Sequence, residues 1–134
     1  MPLPCVVKPP CEGSSVGVHI VNTEDELDVA LDSSFKYEDA VLVEKKIEGR
    51  EFTVGLLDGE VLPAVEIIPT EGFYDYTNKY QAGKTVEICP APISEEIYNR
   101  LAQQTRLAFD VLRLSGYARF DFMLDSKNQT DIWA

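Results

Sequence analysis

The sequence predicts an α+β domain, with antiparallel sheets and a few flanking helices. Three observations carry that expectation. Short segments with apolar residues two apart, such as Tyr117–Leu124, recur between turn signals. Two stretches switch to helical spacing, one after Thr23 and one after Ser94, each opening on a capping residue with acids in the first turn. Asp58-Gly59 is a two-residue hairpin signal, and such a short link joins antiparallel neighbours.

Length and composition bound the rest. At 134 residues the chain is one domain's worth, long enough for a core. The net charge of −11, from 12 basic and 23 acidic residues, argues against a nucleic-acid surface, which needs clustered positive charge. No apolar run approaches the roughly 20 residues of a membrane span, so no membrane partner is expected. Cys5, Cys11 and Cys89 are odd in number and lack CxxC spacing, which favours a reducing cytoplasm over disulfides or zinc. His19 is the lone histidine and is expected at the surface of a strand.

Leu3–Val7 is a short apolar strand ending at Lys8, and Val16–Val21 reads as the returning strand. Between them lies Lys8-Pro9-Pro10-Cys11-Glu12-Gly13-Ser14-Ser15. Glycine lets backbone N–H groups turn toward an anion, the hydroxyls add donors, and lysine adds a compact charge, so the loop suits a polyphosphate. An ordinary hairpin loop is the alternative. Neither a Walker loop nor a dinucleotide fingerprint is present.

Thr23-Glu24-Asp25-Glu26 is a capping box in which the Glu26 carboxylate should reach back to Thr23, and Leu27, Ala30, Leu31 and Phe35 give a helix over about 24–35. Ala40–Ile47 is a strand that turns polar halfway, and Arg50–Leu57 follows the Glu48-Gly49 turn. Glu60–Pro69 returns with Val61, Val65 and Ile67 inward, Pro63 marking an edge or irregular pairing. Residues 70–84 form a long loop whose Phe73, Tyr74, Tyr76 and Tyr80 suit a lid facing substrate. Val86–Pro90 is a short strand. Ser94 then caps the longer helix, with Ile97, Leu101, Ala108 and Leu112 as its buried stripe and Gly116 as its stop. In Tyr117–Leu124, Ala118, Phe120, Phe122 and Leu124 face the core, with Arg119, Asp121 and Met123 opposite. A final strand starts within Gln129–Ala134.

Taken in order, these pieces resemble the D-alanine–D-alanine ligases of the ATP-grasp superfamily. The matching segments are Val7-Lys8-Pro9, Glu12-Gly13-Ser14-Ser15-Val16-Gly17-Val18, Leu42-Val43-Glu44-Lys45 and Gly49-Arg50-Glu51-Phe52-Thr53-Val54. They continue through Leu62-Pro63, Gly72-Phe73-Tyr74-Asp75-Tyr76, Lys79-Tyr80, Cys89-Pro90-Ala91 and Gly116–Asp125. The series runs almost end to end, and it is more specific than any single motif in it.

The resemblance implies an ATP-grasp fold, in part, and an ATP-dependent carboxylate–amine ligase that joins two D-alanines for peptidoglycan. It implies a partial ATP-grasp domain over 1–134, with a nucleotide-binding, lid-type subdomain over 1–48 and a central sheet subdomain over 49–134. Lys8 would bind ATP phosphates, with Glu12, Gly13, Ser14 and Ser15 closing over them. Glu44, Lys45 and the Ile47 backbone would hold adenine, Glu51 the ribose hydroxyls, and Phe73 and Met123 the purine faces. Lys79 would meet the transferring phosphate and Arg119 the developing oxyanion, Ser14 and Tyr80 would share a substrate-side network, and Asp121 would be one ligand of Mg²⁺ or Mn²⁺. Relatives are often homodimers.

The departures also carry expectations. The family's N-terminal domain has no counterpart before Met1, its Glu-x-Asn metal pair would begin at about Ala134, and Cys11 stands where many relatives have a basic residue. The chain therefore reads as a central piece of the ligase, and the polypeptide by itself is expected to make no dipeptide. D-alanine-dependent phosphate release by the purified chain is the measurement that checks this. The alternatives are a non-catalytic nucleotide-binding or interaction fragment, and a D-alanine–D-lactate type of ATP-grasp ligase.

Overall fold

A computed structural model describes residues 2–11, 16–69, 85–127 and 132–133. The described residues form two compact units. The first takes residues 2–11 and 16–46 with Pro69 and Thr85, and the second takes Ile47–Ile68 with 86–127 and 132–133.

In the first unit, β1 (Cys5–Lys8) is the middle strand of a three-stranded sheet, between β2 (His19–Val21) and β3 (Leu42–Lys45). Both pairings are antiparallel, with Val6 opposite Ile20 and Glu44, and Cys5 opposite Val21 and Lys45. Cross-strand partners share a face. One face therefore carries Cys5, Val7 and Val21, which are buried with Ala30 of helix α1 (Glu24–Ser34). The other carries Val6, Lys8, Ile20, Leu42 and Glu44.

Helix α1 starts where the capping signal lies, with Thr23 Oγ1 accepting the Glu26 N–H at 3.4 Å. The Glu26 carboxylate reaches one residue further back than expected and accepts the Asn22 N–H at 2.7 Å. Phe35 is the C-cap and half exposed rather than part of the buried stripe, because the helix ends at Ser34, whose hydroxyl donates to the Gly17 carbonyl at 3.0 Å. His19 also departs from expectation. It lies opposite Val7, on the helix side, with Nε2 enclosed and without a hydrogen-bond partner.

In the second unit the strand order is β7 (Thr85–Ile88), β6 (Val65–Pro69), β4 (Gly49–Leu57), β8 (Tyr117–Asp125), β9 (Ile132–Trp133), with β5 (Glu60–Val61) also paired to β4. The Asp58-Gly59 hairpin forms with both residues at positive φ, and Leu62-Pro63-Ala64 interrupts the return strand at the expected proline. Strands β4 and β8 pair along their whole length, from Gly49 opposite Asp125 to Leu57 opposite Tyr117. Their alternation makes one apolar face, where Phe52, Val54, Phe122 and Leu124 pack with Ala64 and with Leu101 of helix α2 (Glu95–Val111).

Ser94 caps α2 by accepting the Ile97 N–H at 3.3 Å. The helix buries less than its apolar stripe predicts. Leu101 and Thr105 are buried and Ile97 packs against the cluster, but Leu112 is 62% exposed, as is Leu107, and Val111 is 70% exposed. The buried contacts come from the first three turns, so the last turn lies outside the apolar cluster. The helix also stops earlier than expected, at Leu112, with Arg113 taking a left-handed φ of 53°. Gly116, at φ 76°, instead opens β8.

Strand β6 breaks the inward pattern. Val65 is only half-buried, while Glu66 is buried. Its carboxylate accepts from Arg50 Nε at 2.6 Å and Nη2 at 2.8 Å, and Nη2 also donates to the Pro92 carbonyl at 3.1 Å. This pairing holds the Glu66 carboxyl below the usual carboxylate range and raises the Arg50 guanidinium, each chiefly through the shared hydrogen bonds.

Candidate nucleotide-binding residues

In the first unit, period-two alternation brings Lys8 to the sheet face that helix α1 does not cover. Lys8 Nζ lies 2.8 Å from Glu44 Oε2 there, and both side chains are partly exposed. Val6 and Ile20 are half-buried and Leu42 is 43% exposed on this same face, giving the charged pair an apolar surround. Sequence reading named Lys8 and Glu44 but missed these three, although stepping back two residues from Lys8 along its strand reaches Val6. A mixed surface of this kind suits a flat ring beside an anion. Lys45 is not brought to it: its register opposite Cys5 puts it on the other face. The boundary between the two units falls just after Lys46, so Ile47 begins the second.

In the second unit the face of β4–β8 away from α2 carries the predicted side chains in cross-strand rows. Glu51 is opposite Met123, Thr53 opposite Asp121, and Gly55 opposite Arg119. On the other edge of β4, Glu51 is opposite Ile67 and Thr53 opposite Val65. The Arg119 guanidinium lies 3.3 Å from Asp121 through both Nε and Nη2, and both side chains are well exposed. At that distance and exposure the pair is weak, so neither group is committed to the other. Thr53, between Val65 and Asp121, was not singled out from the sequence, and its enclosed hydroxyl has no hydrogen-bond partner.

Arg50 does not share this face. Its chelated Glu66 and the stacking of its guanidinium 5.1 Å from the Phe52 ring centre fix the end of β4 that bears Glu51. Glu12, Gly13, Ser14, Ser15, Phe73, Lys79 and Tyr80, with the aromatic loop 70–84, lie outside the described residues. For a divalent cation, the described residues contain no group of three or more His, Cys, Asp or Glu placed to hold one. Exposed Asp121 fits a single ligand of a magnesium ion held mainly by phosphate oxygens, and not a self-sufficient metal centre. Cys5 and Cys89 carry free thiols, and no described helix is long and apolar enough to cross a membrane.

The family described as D-ala D-ala ligase C-terminus matches residues 1–133. A D-alanine–D-alanine ligase of Mannheimia succiniciproducens is 48% identical over 124 residues, 92% of this chain and 40% of that protein. The chain spans about 40% of the length of the curated relatives it matches. A crystal structure of D-alanine–D-alanine ligase from Bacillus anthracis superposes with a TM-score of 0.78 at 36% identity, over 94% of this chain and 41% of that one. A structure of the ligase from that species complexed with ATP gives 0.73 at 34% identity, over 92% and 39%. Such ligases have the ATP-grasp fold, and the antiparallel sheets and flanking helices described above are part of it. By this match along nearly its whole length, the chain belongs to the D-alanine–D-alanine ligase family, within the C-terminal region of that family.

Proposed function

We propose that the chain binds ATP and carries phosphoryl-transfer residues of a cytoplasmic D-alanine–D-alanine ligase. The observation that carries this reading is the sorting of the family's ligand residues onto sheet faces left open by the core. Lys8 and Glu44 share one such face, and Glu51, Asp121, Arg119 and Met123 share another. One structural neighbour is complexed with ATP.

The roles follow from the chemistry of each group. Lys8 supplies a compact positive charge to phosphate, aided by Ser14, Ser15 and the backbone about Glu12 and Gly13. Glu44 accepts the adenine amine, the backbone about Lys45 and Ile47 completes the base contacts, and Glu51 accepts from ribose hydroxyls. Met123 and Phe73 pack against the purine. A D-alanine carboxylate oxygen attacks the γ-phosphorus, the bond to the β–γ bridging oxygen breaks, and ADP leaves. The amine of the second D-alanine attacks the resulting acylphosphate carbon, gives up a proton and expels phosphate. Arg119 faces the carbonyl oxygen as it gains negative charge, and Lys79 faces the transferring phosphoryl group. Asp121 would hold one side of a magnesium ion, which when bound neutralises the phosphate oxygens. Ser14 and Tyr80 orient substrate.

Titration calorimetry of the chain with ATP tests the reading. Saturable binding is expected, weakened roughly 10- to 100-fold by Lys8→Met, the range for losing a hydrogen bond to a charged group. Asp121→Asn is expected to lower affinity only when magnesium is present. ATP binding that Lys8→Met leaves unchanged, or no binding by the wild-type chain, overturns the proposal.

A further inference from the structure

Building on that reading, we infer that Glu44 is an internal stand-in for phosphate, so that nucleotide binds at Lys8 by exchange of partners rather than by simple addition. Lys8 Nζ and Glu44 Oε2 are 2.8 Å apart, and the two side chains are 36% and 43% exposed. A carboxylate in contact with the lysine cancels most of the local field that would draw a polyphosphate. Because the pair is solvent-exposed, its attraction is small, and an incoming anion displaces it at little cost.

The exchange has a chemical condition. An ionised glutamate only accepts hydrogen bonds. Once Lys8 turns to phosphate, Glu44 is left beside new negative charge unless the ligand also brings a donor. The exocyclic amine of adenine is such a donor; free tripolyphosphate has none. A ligand with both the amine and the phosphates replaces both lost contacts, whereas an anion alone replaces one and adds repulsion. Glu44 thereby makes affinity for phosphate conditional on the base attached to it. The half-buried Val6 and Ile20 on this face would carry the ring that connects the two ends.

The test compares tripolyphosphate and ATP binding to the whole chain, without magnesium, for wild type, Glu44→Gln and Asp28→Asn. Asp28 is exposed on α1, which covers the opposite face of the sheet, so its replacement makes the same charge change away from Lys8. Tripolyphosphate is expected to bind Glu44→Gln about two- to five-fold more tightly than wild type, the range an exposed ion pair supplies. ATP should gain nothing, so the ratio of ATP to tripolyphosphate affinity falls. Asp28→Asn should leave that ratio unchanged. Equal tripolyphosphate affinity in wild type and Glu44→Gln, or an equal gain in Asp28→Asn, overturns the exchange while leaving ATP binding through Lys8 standing. Failure of wild type to bind ATP removes the nucleotide reading and the exchange together.

Discussion

Gly49→Ala is expected to remove the cooperative unfolding transition of the second unit. Gly49 starts β4 opposite Asp125, and a Cβ built there would overlap the Leu124 carbonyl oxygen and lie 2.8 Å from the carbonyl carbon. The obstacle is backbone in the neighbouring strand, so no rotamer change relieves it. To admit one methyl group, the β4–β8 ladder must separate at the end that places Glu51 and Met123. A cost of about 4 kcal/mol or more is expected, a large share of the marginal stability of a small domain. Gly59→Ala is the comparison. Gly59 has a φ of 87° but no heavy atom within 4 Å of the added carbon, so only the backbone term of about 1–2 kcal/mol applies. Thermal melts followed by near-ultraviolet circular dichroism separate the two. A Gly49→Ala protein that melts like Gly59→Ala would refute the close approach.

Arg50→Met is expected to cost about 3 kcal/mol at neutral pH, because it leaves the Glu66 carboxylate buried without its guanidinium. The figure sits at the low end for a broken buried pair because the Arg50 side chain is 42% exposed, whereas that of Glu66 is 7% exposed. Arg50→Met combined with Glu66→Leu should recover most of the loss, since two apolar groups need no partner. Acid gives an independent check. The folded protein holds the Glu66 carboxyl below its unfolded range, so the contribution is complete above an unfolded pKa of about 4.3. It is lost as pH falls through the lower, folded value. The wild type should therefore destabilise on acidification by a margin that the double variant lacks. Urea midpoints at pH 7 and at pH 3 measure it; identical acid sensitivity in the two proteins would count against the pairing.

Much of this was readable in the chain because simple periods wrote it. Alternation in Tyr117–Leu124 placed Phe122 and Leu124 in the core and Arg119 and Asp121 away from it, and Thr23 and Ser94 opened their helices where expected. The misses have a common cause, which is that burial depends on what a neighbouring element covers. Leu112 continues the apolar spacing of α2, yet it is 62% exposed and outside the apolar cluster. Glu66 is a charge in a strand, and only its partner 16 residues away in sequence explains why it is buried. His19 looks like a surface residue until α1 lies across its face. Among the candidate ligand residues, alternation within β3 separates Glu44 from Lys45, but only the register that puts Cys5 opposite Lys45 shows that Lys45 and Lys8 lie on different faces. No local signal could show that Lys8 meets Glu44, because that contact closes a span of 36 residues.

The nine-residue match of β4 to β8 has an evolutionary consequence. Odd and even positions there serve different masters, one set holding the core together and the other carrying the proposed ligand residues. Point changes can tune either set alone. A single inserted or deleted residue inside β8 trades them wholesale, sending a guanidinium toward Leu101 and a phenyl ring toward solvent. Length variation in this stretch should therefore come in pairs of residues or be confined to its ends.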